Sequence, residues 1–143
     1  VVYSENYEFE IGKSNLLQKG TDVTLIACGS MVHKSLQAAE ILRAEKISAS
    51  VINMHTIKPL DEARLEEIIA TNMPIVSIEE HSTVGGLGGA IAEYLSPLDI
   101  CIRHLSIGLP DEYIETGEYS YMLSEQGLDA KSIAQRVFSF IRK

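Results

Sequence analysis

Glu79, Glu80 and His81 stand side by side in this sequence, and four glycines, Gly85, Gly86, Gly88 and Gly89, follow just ahead of a segment with helical spacing. Three chemistries use residues of these types. Adjacent carboxylates and an imidazole serve as general acid and base. His81 with His55 offers two nitrogens to a metal ion. A glycine-rich loop opening a helix presents backbone N–H groups to a phosphate.

Spacing argues against each. Consecutive residues of a strand point to opposite faces, so Glu79 and Glu80 cannot both face one site. A strand-end carboxylate of this kind is expected to cap a neighbouring helix or pair with a base such as Lys58. The strand-end loop Glu79, Glu80, His81 is therefore kept only as a candidate. The dinucleotide fingerprint G-x-G-x-x-G fails in both registers, at Ile91 when started from Gly86 and at Leu87 when started from Gly85. The run Gly12 to Ser14 imitates the end of a P-loop, but the leading glycine would have to stand where Tyr7 is. His33 and His104 are isolated, and no HExxH or serine elbow occurs. No catalytic, cofactor-binding or metal-binding residue is assigned.

The elements that would position these residues alternate. "DVTLIA" reads as a strand, followed by a helix from Ser30 with Val32, Leu36 and Ala39 at helical spacing. "ISASVINM" is the next strand, and Asp61 is the expected N-cap of "EARLEEIIATN". "MPIVSIEE" leads into the glycine loop and its helix, and "DICIRHLSI" reads as a further strand. After an irregular stretch rich in Tyr, Gly and Glu, Asp129 is expected to cap a last helix carrying Ile133, Val137 and Ile141. Such alternation predicts an α/β fold, a three-layer α/β/α domain with a mostly parallel sheet of about five strands. Its core should include Val23, Leu25, Ile52, Ile75, Val76, Ile78 and Ile102. Residues 1–20 are less regular and are set apart as a lead-in segment, with the domain proper at 21–143. Ligands of parallel sheets gather at the carboxyl ends of the strands, where Cys28 to Ser30, Asn53 to His55 and Glu79 to His81 would stand.

Composition narrows the classes. The 143 residues are 45% hydrophobic and 22% charged, ordinary for one globular domain. No apolar run is long enough to span a membrane. A formal net charge of −8 without a local Lys/Arg cluster excludes nucleic acid as the expected partner. The opening "VVYSENYEFE" lacks the order of a secretion signal, so the cytoplasm is expected, and the missing initiator Met suggests a piece of a longer chain. Cys28 and Cys101 fall in β-like runs and are expected to be buried, reduced thiols.

At about 100° per residue, Leu87, Ile91, Tyr94 and Leu95 form an apolar arc. Gly85, Gly88, Gly89, Ala92 and Ser96 collect on the opposite side. Glycine costs roughly 0.5–1 kcal/mol in a helix interior relative to alanine, so a face of minimal residues suggests close approach by a neighbour. Glycines that only shape a surface turn, or a helix start that holds an anion beside repelling Glu79 and Glu80, are the other readings.

The blocks "EIGKSNLLQKGTDVTLIACGSMVHKSLQAAEIL", "INMHTIKPLDEARL", "IVSIEEHSTVGGLGGAIAEYL" and "IGLPDEYIETG" resemble the C-terminal domain of the transketolase family of thiamine-diphosphate enzymes, from about Glu10 to the end. "SIGLPDEYIETG" and "LSEQGLDAKSIAQ" are most similar to transketolases, including those split into two subunits, then to 1-deoxyxylulose-5-phosphate synthases. The β subunits of 2-oxoacid dehydrogenase E1 components share "TIKPLD" and come third. The resemblance implies a larger transferase that moves two-carbon ketol units between sugar phosphates. Its thiamine diphosphate and magnesium would be held by separate cofactor-binding and pyrimidine-binding domains, in the same chain or a partner subunit. No GDG motif for that cofactor occurs here. This domain, inactive alone, is expected to support assembly of a homodimer. A stand-alone regulatory or ligand-binding module that kept the fold is the reading of another class.

Overall fold

The computed structural model describes residues 2, 3, 7 and 9–143. Five strands, β1 (Asn15–Gln18), β2 (Val23–Ala27), β3 (Ala49–Asn53), β4 (Ile75–Ser82) and β5 (His104–Leu109), form one sheet in the order β1-β3-β2-β4-β5. The pairs β2–β3, β2–β4 and β4–β5 are parallel, and β1 is antiparallel to β3. Every residue of β2 and β3 is buried, which is why their sequences are near-continuous apolar runs and not alternating ones.

Five helices cover the sheet: α1 (Met31–Ala44), α2 (Glu62–Thr71), α3 (Leu87–Leu95), α4 (Tyr119–Glu125) and α5 (Ala130–Ile141). Val23, Leu25, Val51, Val76 and Ile78 point to one face, where they meet α1 and α5 through Leu42, Ile133 and Val137. Ile26, Ile52 and Ile75 point to the other, against Leu65 and Ile68 of α2 and Leu87 and Ile91 of α3. The period-2 alternation of the central strands thus divides one sheet between two cores. The α/β/α layering with five mostly parallel strands is as the sequence predicts. Among the described residues no helix is long and apolar enough to cross a membrane.

Local chemistry sets the element ends. The Asp61 side chain accepts the Arg64 amide at 3.2 Å, and Asn72 closes α2 in the left-handed region at φ 56°. Asp129 accepts the amides of Lys131 and Ser132 at 3.0 and 3.1 Å and so starts α5.

Four expectations are corrected. The fifth strand begins at His104, not Asp99, so Ile102 lies in the connection before it and is only partly buried. For the same reason Cys101 is exposed, while Cys28, at the end of β2, is half-buried; both thiols are free. The irregular stretch contains α4, hidden because it spans fewer than two turns and is capped by a glutamate, Glu118, that accepts the Tyr121 amide. Finally, β1 lies within the residues set apart as a lead-in, and its Asn15 and Leu16 pair with Asn53 and Ile52.

Candidate functional site

Because β2 and β4 are neighbouring parallel strands, their carboxyl ends bring Cys28, Gly29 and Ser30 beside Glu79, Glu80 and His81. Together with Ile57, Gly85 and Gly86 they line a cleft of about 390 Å³. Here alternation along β4 separates the two carboxylates: Glu79 is buried and Glu80 is exposed.

The Glu79 carboxylate is fully engaged. One oxygen accepts the Leu87 amide at 2.7 Å and the other accepts the Gly88 amide at 2.9 Å. The first amides of α3, where an external anion would bind, are held by the protein's own anion. This closeness explains Gly86: a Cβ there would stand 2.0 Å from the Glu79 Oε2 atom. Gly85, at φ +75°, makes the turn that lets the chain double back onto the strand end.

Glu80 points to the other side. Its carboxylate accepts hydrogen bonds from the Ser30 hydroxyl and, at 2.7 Å, from the Tyr119 hydroxyl, tying β4, the start of α1 and α4 together. The bond to Glu80 raises the Tyr119 pKa, with burial adding to the effect. Burial, and then the charge of Glu79, push the Cys28 thiol up to about 11. Cys28 is therefore protonated at neutral pH and is no nucleophile.

The other sequence candidates are placed apart. His81 is exposed, its Nδ1 atom 2.9 Å from the Ser82 carbonyl oxygen. His55 packs instead against Tyr7 and Phe9, with ring centroids 6.1 and 4.7 Å away. Among the described residues no group of three or more His, Cys, Asp or Glu is placed to hold a metal ion. The P-loop-like residues are spent internally: the Gly12 amide donates to Thr56 Oγ1, and the Ser14 amide and hydroxyl donate to Asp61 at 2.7 and 2.8 Å. His104 bonds Ser77 at 3.0 Å, and burial lowers its pKa.

The small-residue face is divided. Gly89 has open space above it, and Gly85, Ala92 and Ser96 are exposed. Gly88 departs from the expectation: it is buried, and a Cβ there would lie 2.5 Å from Ser106 Oγ and 2.9 Å from Ser77 Oγ. The helix is turned so that its second residue faces the sheet beside Leu87, and the glycine permits that approach. Sequence reasoning also missed Glu79 as the cap of α3. A strand-end carboxylate followed by glycine immediately before an apolar helix residue was the available signal.

The family model described as transketolase, C-terminal domain, matches residues 12–133. A 1-deoxy-D-xylulose-5-phosphate synthase of Dictyoglomus turgidum is 41% identical over 134 residues, which are 94% of this chain and 22% of that protein. A subunit of the apulose-4-phosphate transketolase of Phocaeicola vulgatus is 36% identical over 143 residues, 100% of this chain and 45% of that protein. A solved split-gene transketolase, described as an inactive β4 tetramer, has a TM-score of 0.92 and 37% identity, covering 99% of this chain and 46% of its own. The chain thus spans less than half the length of each of these relatives.

Proposed function

The chain belongs to the transketolase C-terminal domain family, and from that premise we propose that it serves as the assembly domain of a thiamine-diphosphate transferase. The enzyme would move two-carbon ketol units between sugar phosphates in the cytoplasm. Its cofactor and magnesium would be bound elsewhere, by cofactor-binding and pyrimidine-binding domains of the same chain or of a partner subunit, in a homodimer. Lead-in residues 1–20 would connect this domain, 21–143, to them.

The observation that carries this reading is the engagement of Glu79 with the Leu87 and Gly88 amides. Diphosphate binding needs a metal held by oxygen ligands or free N–H groups at a helix start. The residues at this edge do not fit such a group, since a carboxylate already takes those amides and would repel a phosphate. The exposed side of α3, with Gly89, Ala92 and Ser96, is left for contact with another domain or subunit.

Calorimetry of the chain with thiamine diphosphate and magnesium is expected to show no stoichiometric binding. Ketol transfer is expected only once the cofactor-binding and pyrimidine-binding regions are supplied. A magnesium-dependent complex of micromolar affinity with this chain alone would refute the reading. The 41% identity to a 1-deoxy-D-xylulose-5-phosphate synthase favours a second reading, in which the whole enzyme makes that product. Product analysis of the reconstituted enzyme separates the two.

A further inference from the structure

A second cleft, of about 270 Å³, lies at the opposite rim of the sheet beneath α2. Thr24 near the start of β2, Ser50 near the start of β3, and Thr71 and Met73 before β4 line it, so it sits at the amino ends of the parallel strands. Its walls include Leu16, Ile52 and Ile68, and its charged lining is Lys19 and Arg64 against one carboxylate, Glu67. The lining is thus locally positive in a chain of net charge −8.

Thr24 sets the cleft apart. It is 1% exposed, yet its buried hydroxyl has no hydrogen-bond partner. The neighbouring hydroxyls are satisfied: Ser50 accepts the Gly20 amide at 2.8 Å and donates to the Gly20 carbonyl at 3.2 Å, and Thr71 donates to the Ile68 carbonyl at 2.6 Å. A buried polar group without a partner is rare in native proteins and points to a bound group that completes it.

We propose that this cleft binds a short-chain carboxylate carrying a second oxygen, carbonyl or hydroxyl, on an otherwise apolar carbon chain. The carboxylate meets Arg64 and Lys19, the carbon chain lies against Leu16, Ile52 and Ile68, and the second oxygen bonds the Thr24 hydroxyl. The volume lies between the roughly 150 Å³ that admits benzene and the roughly 300–1,000 Å³ of drug-sized sites, which selects a small metabolite. The site is remote from Glu79 and stands independently of the assembly role.

The protein is titrated with 4-oxopentanoate and, separately, with pentanoate, which lacks the second oxygen, while backbone amide resonances are followed. Saturable shifts are expected at Gly20, Thr24, Ser50 and Thr71, with pentanoate bound about five-fold more weakly, as loss of one hydrogen bond predicts. In Thr24→Val the two acids should bind alike. The proposal is overturned if neither acid gives saturable shifts; a raised melting midpoint of Thr24→Val would then mark a hydroxyl that served no ligand. Equal binding of both acids to the unmodified protein also overturns it, and that comparison decides the matter even where the variant fails to fold.

Discussion

The Gly88 amide lies 2.9 Å from a carboxylate oxygen of Glu79, nine residues earlier in the chain. The contact locks the start of α3 onto the end of β4 through a charged hydrogen bond, and the Leu87 amide adds a second. Glu79→Gln keeps the shape but turns one acceptor into a donor facing a donor. We expect a loss of about 2 kcal/mol in urea unfolding, within the range of hydrogen bonds to charged groups. An unchanged midpoint would show that the pair contributes nothing.

Gly86 and Gly89 are expected to respond to alanine with opposite signs. At Gly86 the new Cβ would collide with the Glu79 carboxylate, so Gly86→Ala should destabilise and should lose most of its effect in a Glu79→Ala background. At Gly89 nothing lies within 4 Å, and alanine should stabilise by roughly 0.5 kcal/mol through helix propensity. Thermal unfolding of the two single variants and of the Gly86/Glu79 double variant tests this.

Gly89→Leu bears on the proposed assembly face. The chain should remain folded, since the position is open, while association with the cofactor-binding part of the enzyme should weaken. Circular dichroism and sedimentation together read the outcome; a variant that unfolds by itself would place Gly89 inside the core.

Stability should fall with acid through His104. Burial holds its folded pKa below the ordinary value, so on acidification the unfolded chain takes up the proton first. The neutral imidazole's contribution is complete above about pH 6.5 and is lost as pH drops from there through the lowered folded value. His104→Gln should flatten the stability profile between roughly pH 5 and 7. A profile as steep as that of the unmodified protein would assign the dependence to another group.

Asp61 joins the strand that precedes the domain core to α2, accepting the Ser14 amide, the Ser14 hydroxyl and the Arg64 amide. Burial works to raise its pKa, but the hydrogen bonds from Ser14 and Arg64 outweigh it, and the carboxyl titrates below its ordinary value. Its contribution is therefore present at neutral pH and lost as pH falls through that lowered value. Asp61→Asn should cost about 1.5–3 kcal/mol and speed hydrogen exchange at the Ser14 amide; unchanged exchange there would refute the link.

What the sequence made legible was what periodicity and capping chemistry encode. Asp61 and Asp129 announced α2 and α5 because short acceptors before helical spacing have few other uses. Val23, Leu25, Ile75, Val76 and Ile78 announced buried strands. Gly88 was misjudged because angular position on a helix does not reveal where the helix begins or how it rolls on the sheet. Cys101 and Ile102 were misjudged because an apolar run does not mark the residue at which pairing starts. The roles of Glu79 and Thr24 depend on residues brought together by folding, which local patterns do not carry.

The antiparallel direction of β1 fixes an orientation. Asn15, its first residue, pairs with Asn53, the last residue of β3, and farther upstream Phe9 packs on His55 and Tyr3 receives a hydrogen bond from Asn53. The polypeptide therefore arrives at the rim that holds Glu79 and Glu80, whereas a parallel edge strand would have entered from the far rim beside Thr24. One reversed strand thus gives the two ends of the sheet different neighbourhoods: one shared with the incoming chain, the other open to solvent-borne molecules.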